Sequence, residues 1–208
     1  MASERPLHGP GDRAFDILAR EVRGCRRCAA QLPLAPRPVF QAHPDARILV
    51  VGQAPGRRAH DTGIPFNDPS GVRLRDWLGL DQAQFYDAQQ VALLPMGFCY
   101  PGTGAGGDLP PRPECAAQWR AALLDSMPRI RLTVLLGRHA IDWHLGQSRA
   151  TLAERVRRWR DHAPARFIAP HPSPRNRLWL RRNPWFEAEL LPALRAQVKC
   201  ALADAARG

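Results

Sequence analysis

Four short apolar runs limit what this chain can become: "RILVVG" (47–52), "QVALLP" (90–95), "RLTVLLG" (131–137) and "RFIAP" (166–170). In each run the apolar residues are continuous rather than alternating, so a strand made from it buries both faces, as in a parallel sheet covered on two sides. The stretches between them supply the cover. Asp12 reads as the cap of a first helix through about Arg23, and Asp68, Pro69 and Ser70 open a second in "DPSGVRLRDWLGL". "RPECAAQWRAALLDSM" starts a third helix at its proline, "GRHAIDWHL" a fourth, and "NPWFEAELLPALRAQVKCALADAA" closes the chain. This alternation predicts an α/β fold, a three-layer αβα sandwich around a four-stranded parallel sheet. A length of 208 residues suits one domain over 1–208, with a helical arm of about residues 1–45 ahead of the first strand. The least regular segment, "YPGTGAGGDLPPRP" (100–113), reads as a mobile loop.

Open parallel sheets carry function just beyond the carboxyl ends of their strands. Here those ends read Gly52-Gln53-Ala54-Pro55-Gly56, Met96-Gly97-Phe98-Cys99, Gly137-Arg138-His139 and His171-Pro172-Ser173-Pro174. Each carries chemistry that a plain turn does not need. The net charge of +11, from 30 basic and 19 acidic residues, favours a polyanionic partner. Two arginine clusters stand out, Arg155, Arg157, Arg158 and Arg160, then Arg175, Arg177, Arg181 and Arg182. With Trp179 and Trp185 interleaved, they suit phosphate contact and base stacking, so nucleic acid is the expected partner. No apolar run reaches the roughly 18 residues of a membrane span, and the opening "MASERPLHGPGDR" lacks the apolar stretch of a secretory signal. A cytoplasmic protein without a membrane partner is expected.

Five cysteines occur. Cys25 and Cys28 have C-x2-C spacing, Cys99 and Cys115 form a second pair, and Cys200 reads as an ordinary helical residue. Disulfides are disfavoured in a reducing compartment, and soft thiolates select zinc or an iron–sulfur cluster.

Taken in order, Cys25-x2-Cys28, "VGQAPGRRAHDTGIPF", "GFCYPG", Cys115, "LLGRHA" and "HPSPRN" resemble the uracil-DNA glycosylase superfamily, nearest to its family 4, which carries a four-iron, four-sulfur cluster. The resemblance runs from about Cys25 to Arg177. It implies that Cys25, Cys28, Cys99 and Cys115 hold the cluster, with zinc as the alternative, and that the N-terminal arm brings two of these ligands. It also implies a monomeric DNA glycosylase that flips a deaminated base, uracil first, out of DNA and hydrolyses its N-glycosidic bond in base excision repair. His171 is then the donor at the departing base. Pro172 and Pro174 pre-shape its loop, Ser173 holds a phosphate, and Arg175 and Asn176 fill or brace the gap left by the flipped nucleotide. Gln53 and Ala54 line the base in the first loop, and Phe66 stacks on it.

Two departures from the family pattern fall on chemistry. The first-loop carboxylate is replaced by Gln53 and Ala54, and the asparagine that reads uracil is replaced by Pro95. Asn67 and Asp68 are polar where small apolar residues are usual, which nominates Asn67 for the base edge and Asp68 for orienting water. Asn-Asp-Pro-Ser is equally a helix start capped by Asp68. The lost polar groups also leave room for hypoxanthine or xanthine. Two rival readings remain: a lesion-binding or covalent-trapping protein using His60, with Arg57 and Arg58, in a loop after the first strand, and an iron–sulfur redox module with nucleic-acid affinity.

Overall fold

A computed structural model of the chain describes residues 10–203, with residues 10–12 described by backbone alone. Among the described residues there are six strands: β1 (Ile48–Val51), β2 (Val91–Leu93), β3 (Thr103–Gly104), β4 (Gly107–Asp108), β5 (Leu132–Leu136) and β6 (Arg166–Ala169). The helices are α1 (Pro10–Arg23), α2 (Arg57–Thr62), α3 (Pro69–Leu78), α4 (Gln82–Tyr86), α5 (Pro113–Asp125), α6 (Arg138–Leu145), α7 (Leu152–Arg157), α8 (Arg177–Arg182) and α9 (Leu191–Ala203). A π-helical turn, Phe186–Leu190, leads into α9.

The four expected runs form one parallel sheet in the order β2-β1-β5-β6. Ile48 stands between Val91 and Leu132, and the register continues through Val50 opposite Leu93 and Val134. Ile48, Leu49, Val50, Val51, Val134, Leu135 and Leu136 are all essentially inaccessible, as two covered faces require. Helices lie on both faces, giving the αβα sandwich: α9 packs across β1 and β5 and carries α3, α6 packs on β5, and α5 packs with α1. Trp77 of α3 meets Phe186 edge-on at 4.9 Å, joining α3 to the π-helical turn.

Asp68 caps α3 by accepting the Gly71 N–H at 2.9 Å, with Pro69 in the first turn. Asp12 is not the start of α1, which begins at Pro10, and its side chain lies outside the described residues. The segment over 100–113 is more ordered than its composition suggests. Its "TGAGGD" core forms the antiparallel hairpin β3–β4, because Gly107 supplies a φ of +121° that the turn demands. One buried polar residue supports the sheet edge. Arg120 of α5 is 0% exposed and donates to the carbonyls of Leu94 and Pro95, both at 3.0 Å. Its guanidinium also donates to His144 Nε2 at 3.1 Å and lies over the Trp143 ring at 4.8 Å. His144 accepts as a neutral ring, its pKa pushed down to about 3 by burial and by the Arg120 charge.

The turn into α3 depends on a missing side chain. A Cβ on Gly71 would sit 1.7 Å from the Phe66 carbonyl oxygen, which therefore rests directly on the helix. Phe66 itself has φ +53°, unusual for a bulky residue. Tyr86 Oη donates to the carbonyls of Pro65 and Phe66 at 3.1 and 3.3 Å and helps to hold this conformation. Gly71→Ala is expected to force the turn away from α3 and to lower stability by about 1–3 kcal/mol, the usual range for overpacking. Urea unfolding of the variant beside the parent checks this, and an unchanged midpoint would contradict the contact.

Candidate active-site cleft

In the order β2-β1-β5-β6 the chain steps to one side of β1 and then to the other, so the connections after β1 and β5 diverge and leave a crevice at their carboxyl ends. A cleft of about 580 Å³ opens there. Its walls are Gly52 to Gly56 after β1, Pro65, Phe66 and Asp68 before α3, Pro95 after β2, Gly106 and Asp108 from the hairpin, and His171 with Ser173 to Asn176 after β6. The ends of β1, β2 and β6 therefore meet in one cavity of ligand size, whereas Gly137, Arg138 and His139 after β5 do not line it.

His171 is oriented by its own loop. The Ser173 N–H donates to His171 Nδ1 at 3.2 Å, so Nδ1 carries the lone pair and the neutral ring carries its proton on Nε2. Burial lowers the His171 pKa from its ordinary 6.5, opposed by the carboxylates of Asp68 and Asp108. The loop is braced from outside by Arg73 of α3, which donates to the carbonyls of Pro172 and Ser173 at 3.3 and 3.0 Å. The Phe66 ring lies nearly parallel to the imidazole, 24° apart with centroids at 6.4 Å, and Gly52 leaves room for it: a Cβ there would be 3.2 Å from Phe66 Cζ.

Other expected residues take duties that their spacing did not reveal. Gln53 lines the cleft, but its amide donates to the carbonyls of Leu109 at 2.8 Å and Asp108 at 3.3 Å. It therefore fastens the hairpin to the first loop and presents only its carbonyl oxygen as a free acceptor. Ala54 lines the cleft as an apolar wall. Asn67 is not among the lining residues, whereas its neighbours Phe66 and Asp68 are. Asn176 donates from Nδ2 to the His171 carbonyl at 2.7 Å, bracing the loop from within rather than reaching out of it. Ser173 Oγ accepts the Arg175 N–H at 3.3 Å. Arg175 extends across the cleft mouth, its guanidinium 2.2 Å from where a Gly107 Cβ would be. His60 falls on α2 rather than in a loop, its ring facing Tyr100 at 6.1 Å, and it does not line the cleft. Asp108 was missed altogether. The only signal for it was an acidic residue closing a glycine-rich turn.

Charge and aromatic residues also divide differently from expectation. Arg155 pairs with Asp142, Arg158 with Asp161 and Arg160 with Glu189, while Arg157 lies over the Trp185 ring. That cluster is engaged within the fold. Trp179 and Trp185 are half-buried and pack edge-on against Phe186 at 5.6 and 6.3 Å, so one edge of each ring serves the core. Among the described residues, by contrast, no carboxylate pairs with Arg175, Arg177, Arg181 or Arg182, and all four are exposed. Arg175 lines the cleft, and the other three stand on α8, the helix that follows the His171 loop.

A second cavity gathers Cys25, Cys28, Cys99 and Cys115, four residues from three separate parts of the chain, with Trp119 and Arg112 in its wall. Cys200 is exposed and elsewhere. Burial, then the neighbouring thiols, pushes Cys99 up to about 11 and Cys115 to about 12, the latter moderated by the Phe98 N–H donating to its sulfur at 3.3 Å. The indole N–H of Trp119 and the Nε–H of Arg112 are buried without acceptors. Unpaired donors around four thiols fit an anionic thiolate-ligated group. The cysteines surround the cavity without closing on it: among the described residues, no three His, Cys, Asp or Glu side chains are gathered as a ready metal site.

The family model of the Uracil DNA glycosylase superfamily matches residues 39–195, well over half of the chain. Among solved structures, the chain is similar to a solution NMR structure from Methanosarcina acetivorans, a protein provisionally assigned as a uracil DNA glycosylase. The two are 15% identical with a TM-score of 0.46, over 77% of this chain and 98% of that one. No helix among the described residues is long and apolar enough to cross a membrane.

The histidine geometry makes a pH prediction with a definite sign. Because burial depresses the folded-state pKa of His171, the unfolded chain binds more protons below pH 6.5. The stability that its neutral ring contributes is complete above that value and drains away as pH falls. Nitrogen-15 NMR of labelled imidazoles is expected to show His171 neutral with its proton on Nε2 at pH 6.5, titrating only at lower pH. An Nδ1–H tautomer would contradict the assignment.

Proposed function

The chain belongs to the uracil-DNA glycosylase superfamily, and from that membership we propose that it is a monofunctional DNA glycosylase, acting as a single chain, that extracts a deaminated base from DNA and hydrolyses its N-glycosidic bond. The observation that carries this reading is the neutral His171, held with an Nε2–H donor beside Phe66 in a cleft of about 580 Å³. Breaking an N-glycosidic bond leaves negative charge on the departing pyrimidine, largely at O2, and positive charge on the sugar. A fixed donor at the developing oxyanion contributes about 2.7–4 kcal/mol to the rate, and its proton need not transfer for that to happen. Phe66 supplies the apolar face for the base. Arg175, Arg177, Arg181 and Arg182 supply phosphate contacts beside it, and their attraction falls as salt rises.

Uracil is the first substrate expected. Selectivity must come from the backbone and from the Gln53 carbonyl oxygen, because Pro95 offers no side-chain donor or acceptor and the Gln53 amide is engaged with the hairpin. An acceptor there suits the N3–H of uracil and equally the N1–H of hypoxanthine or xanthine, so a broader range than uracil alone is consistent with the cleft.

We further propose that Cys25, Cys28, Cys99 and Cys115 hold a family 4 type four-iron, four-sulfur cluster, with zinc as the alternative occupant. Bound there, the group would cross-link the N-terminal arm to the segment leading into the hairpin and to α5. Arg112 and Trp119 would donate to its sulfurs. Because only thiolates ligate, loading must release the cysteine protons and is favoured by higher pH.

The test is a panel of single- and double-stranded oligonucleotides carrying uracil, hypoxanthine, xanthine or a thymine mismatch, scored for alkali-labile sites. Multiple turnovers on at least one deaminated base are expected, with His171→Ala slower by about 100- to 1000-fold, the effect of losing one such donor. Stoichiometric, heat-stable protein–DNA adducts in place of free product would overturn the reading. Broad visible absorption and four irons per chain, both lost in Cys25→Ala, are expected for the cluster; a colourless protein with one zinc would select the alternative.

A further inference from the structure

We infer that Asp108 is the catalytic carboxylate of this cleft, holding and deprotonating the water that attacks the sugar C1′; this rests on the glycosylase reading above. The first loop, which follows β1, offers no carboxylate, since Gln53 and Ala54 stand where one is expected. The fold returns one from a distant part of the sequence. Asp108 closes β4, and the Gln53 amide binds the Asp108 and Leu109 carbonyls, so the hairpin is fastened to the very loop that lacks the acid. Its Oδ2 lies 3.4 Å from where a Gly56 Cβ would be, resting on the glycine that ends this loop.

The carboxylate is oriented as a working group would be. Its Oδ1 accepts from Thr103 Oγ1 at 3.1 Å, and Thr103 Oγ1 lies 2.6 Å from Tyr100 Oη. A carboxylate only accepts, so the Thr103 proton points to Asp108 and the Tyr100 proton to Thr103. One oxygen is fixed by this relay and the other is left for the cleft, which Asp108 lines together with His171. The other cleft acid, Asp68, likewise has one oxygen engaged, its Oδ1 taking the Gly71 N–H to cap α3, so it is held by the helix start and not by the hairpin fastened to the first loop. Both carboxylates act on His171 through space, which places Asp108 within electrostatic reach of the reacting centre. Holding a carboxylate near DNA phosphates is unfavourable for binding, and a charge-neutral residue would serve a merely structural turn.

The step balances. As the N-glycosidic bond breaks, its electron pair leaves with the base, whose oxyanion is held by His171 Nε2–H, and C1′ becomes cationic. The water oxygen bonds to C1′ while one water proton passes to Asp108 Oδ2. The resulting carboxylic acid returns that proton to solvent, and the base anion takes one from solvent, so the net reaction consumes one water. The negative carboxylate also stabilises the cationic sugar before the water arrives.

Single-turnover base release is to be measured on whichever of the four bases the parent chain removes, with DNA affinity followed separately by fluorescence anisotropy. Asp108→Asn is expected to slow release by about 100-fold or more, in the range for losing an acid–base group, with affinity unchanged or tighter. Asp108→Ala is expected to regain rate in added formate, which a purely structural loss would not. Thr103→Val, which keeps the carboxylate but loosens it, is expected to fall between parent and Asp108→Asn. Release by Asp108→Asn within threefold of the parent, or a large loss in Asp68→Asn with Asp108→Asn unaffected, would overturn the assignment while leaving the glycosylase reading intact. A parent chain inactive on all four bases would instead remove the reading beneath it.

Discussion

Four strands with both faces buried leave polar side chains almost no place except the strand ends, and that constraint organises the whole molecule. Ile48 to Val51 and Val134 to Leu136 form an apolar slab in which an unpaired polar group would carry a penalty of several kcal/mol. The strand order then decides which end matters, because connections diverging after β1 and β5 cannot close over their own crevice. The cleft is thus a consequence of topology, and its chemistry comes from the loops that the topology leaves beside it.

Those loops are held by one another and by α3. Arg73 grips the Pro172 and Ser173 carbonyls, Asn176 closes on the His171 carbonyl, and Gln53 fastens the hairpin. Two of these braces, Gln53 and Asn176, use polar groups that their place in the sequence assigns to substrate. The result is a site ordered before DNA arrives, which lowers the entropy lost on binding. Phe66 shows the local cost of that order, a bulky residue kept at φ +53° by the approach of Gly71 and by the Tyr86 hydroxyl. Arg120 links the two cavities: it stands on α5, which begins beside Cys115, and holds the backbone at Pro95, which lines the cleft.

The sheet was legible because its signal is local and strong: continuous β-branched and leucine runs admit few other fates. Asp68 was legible as a cap for the same reason, since Asp-Pro-Ser announces a helix start. The gathering of four cysteines round one cavity, and of Gln53, Phe66 and His171 round another, agreed with their order along the chain. What escaped was anything fixed by a single long-range hydrogen bond. Gln53 and Leu109 are 56 residues apart, and no spacing rule foretells their contact. The hairpin was hidden because glycine-rich composition reads as disorder unless a partner is known to pin it. Trp179 and Trp185 read differently in the fold because aromatic residues near arginines look alike whether they face solvent or, as here, pack half-buried against Phe186 at the edge of the core.

The central proposition is that one everted nucleobase enters the cleft between Phe66 and the His171 loop. It is tested most directly by determining the structure of the chain bound to duplex DNA carrying a 2′-fluoro-deoxyuridine that resists hydrolysis. The account predicts the base out of the helix, its face on the Phe66 ring and its O2 within hydrogen-bond distance of His171 Nε2. A base left stacked in the duplex, or lodged at a surface away from His171, would contradict it.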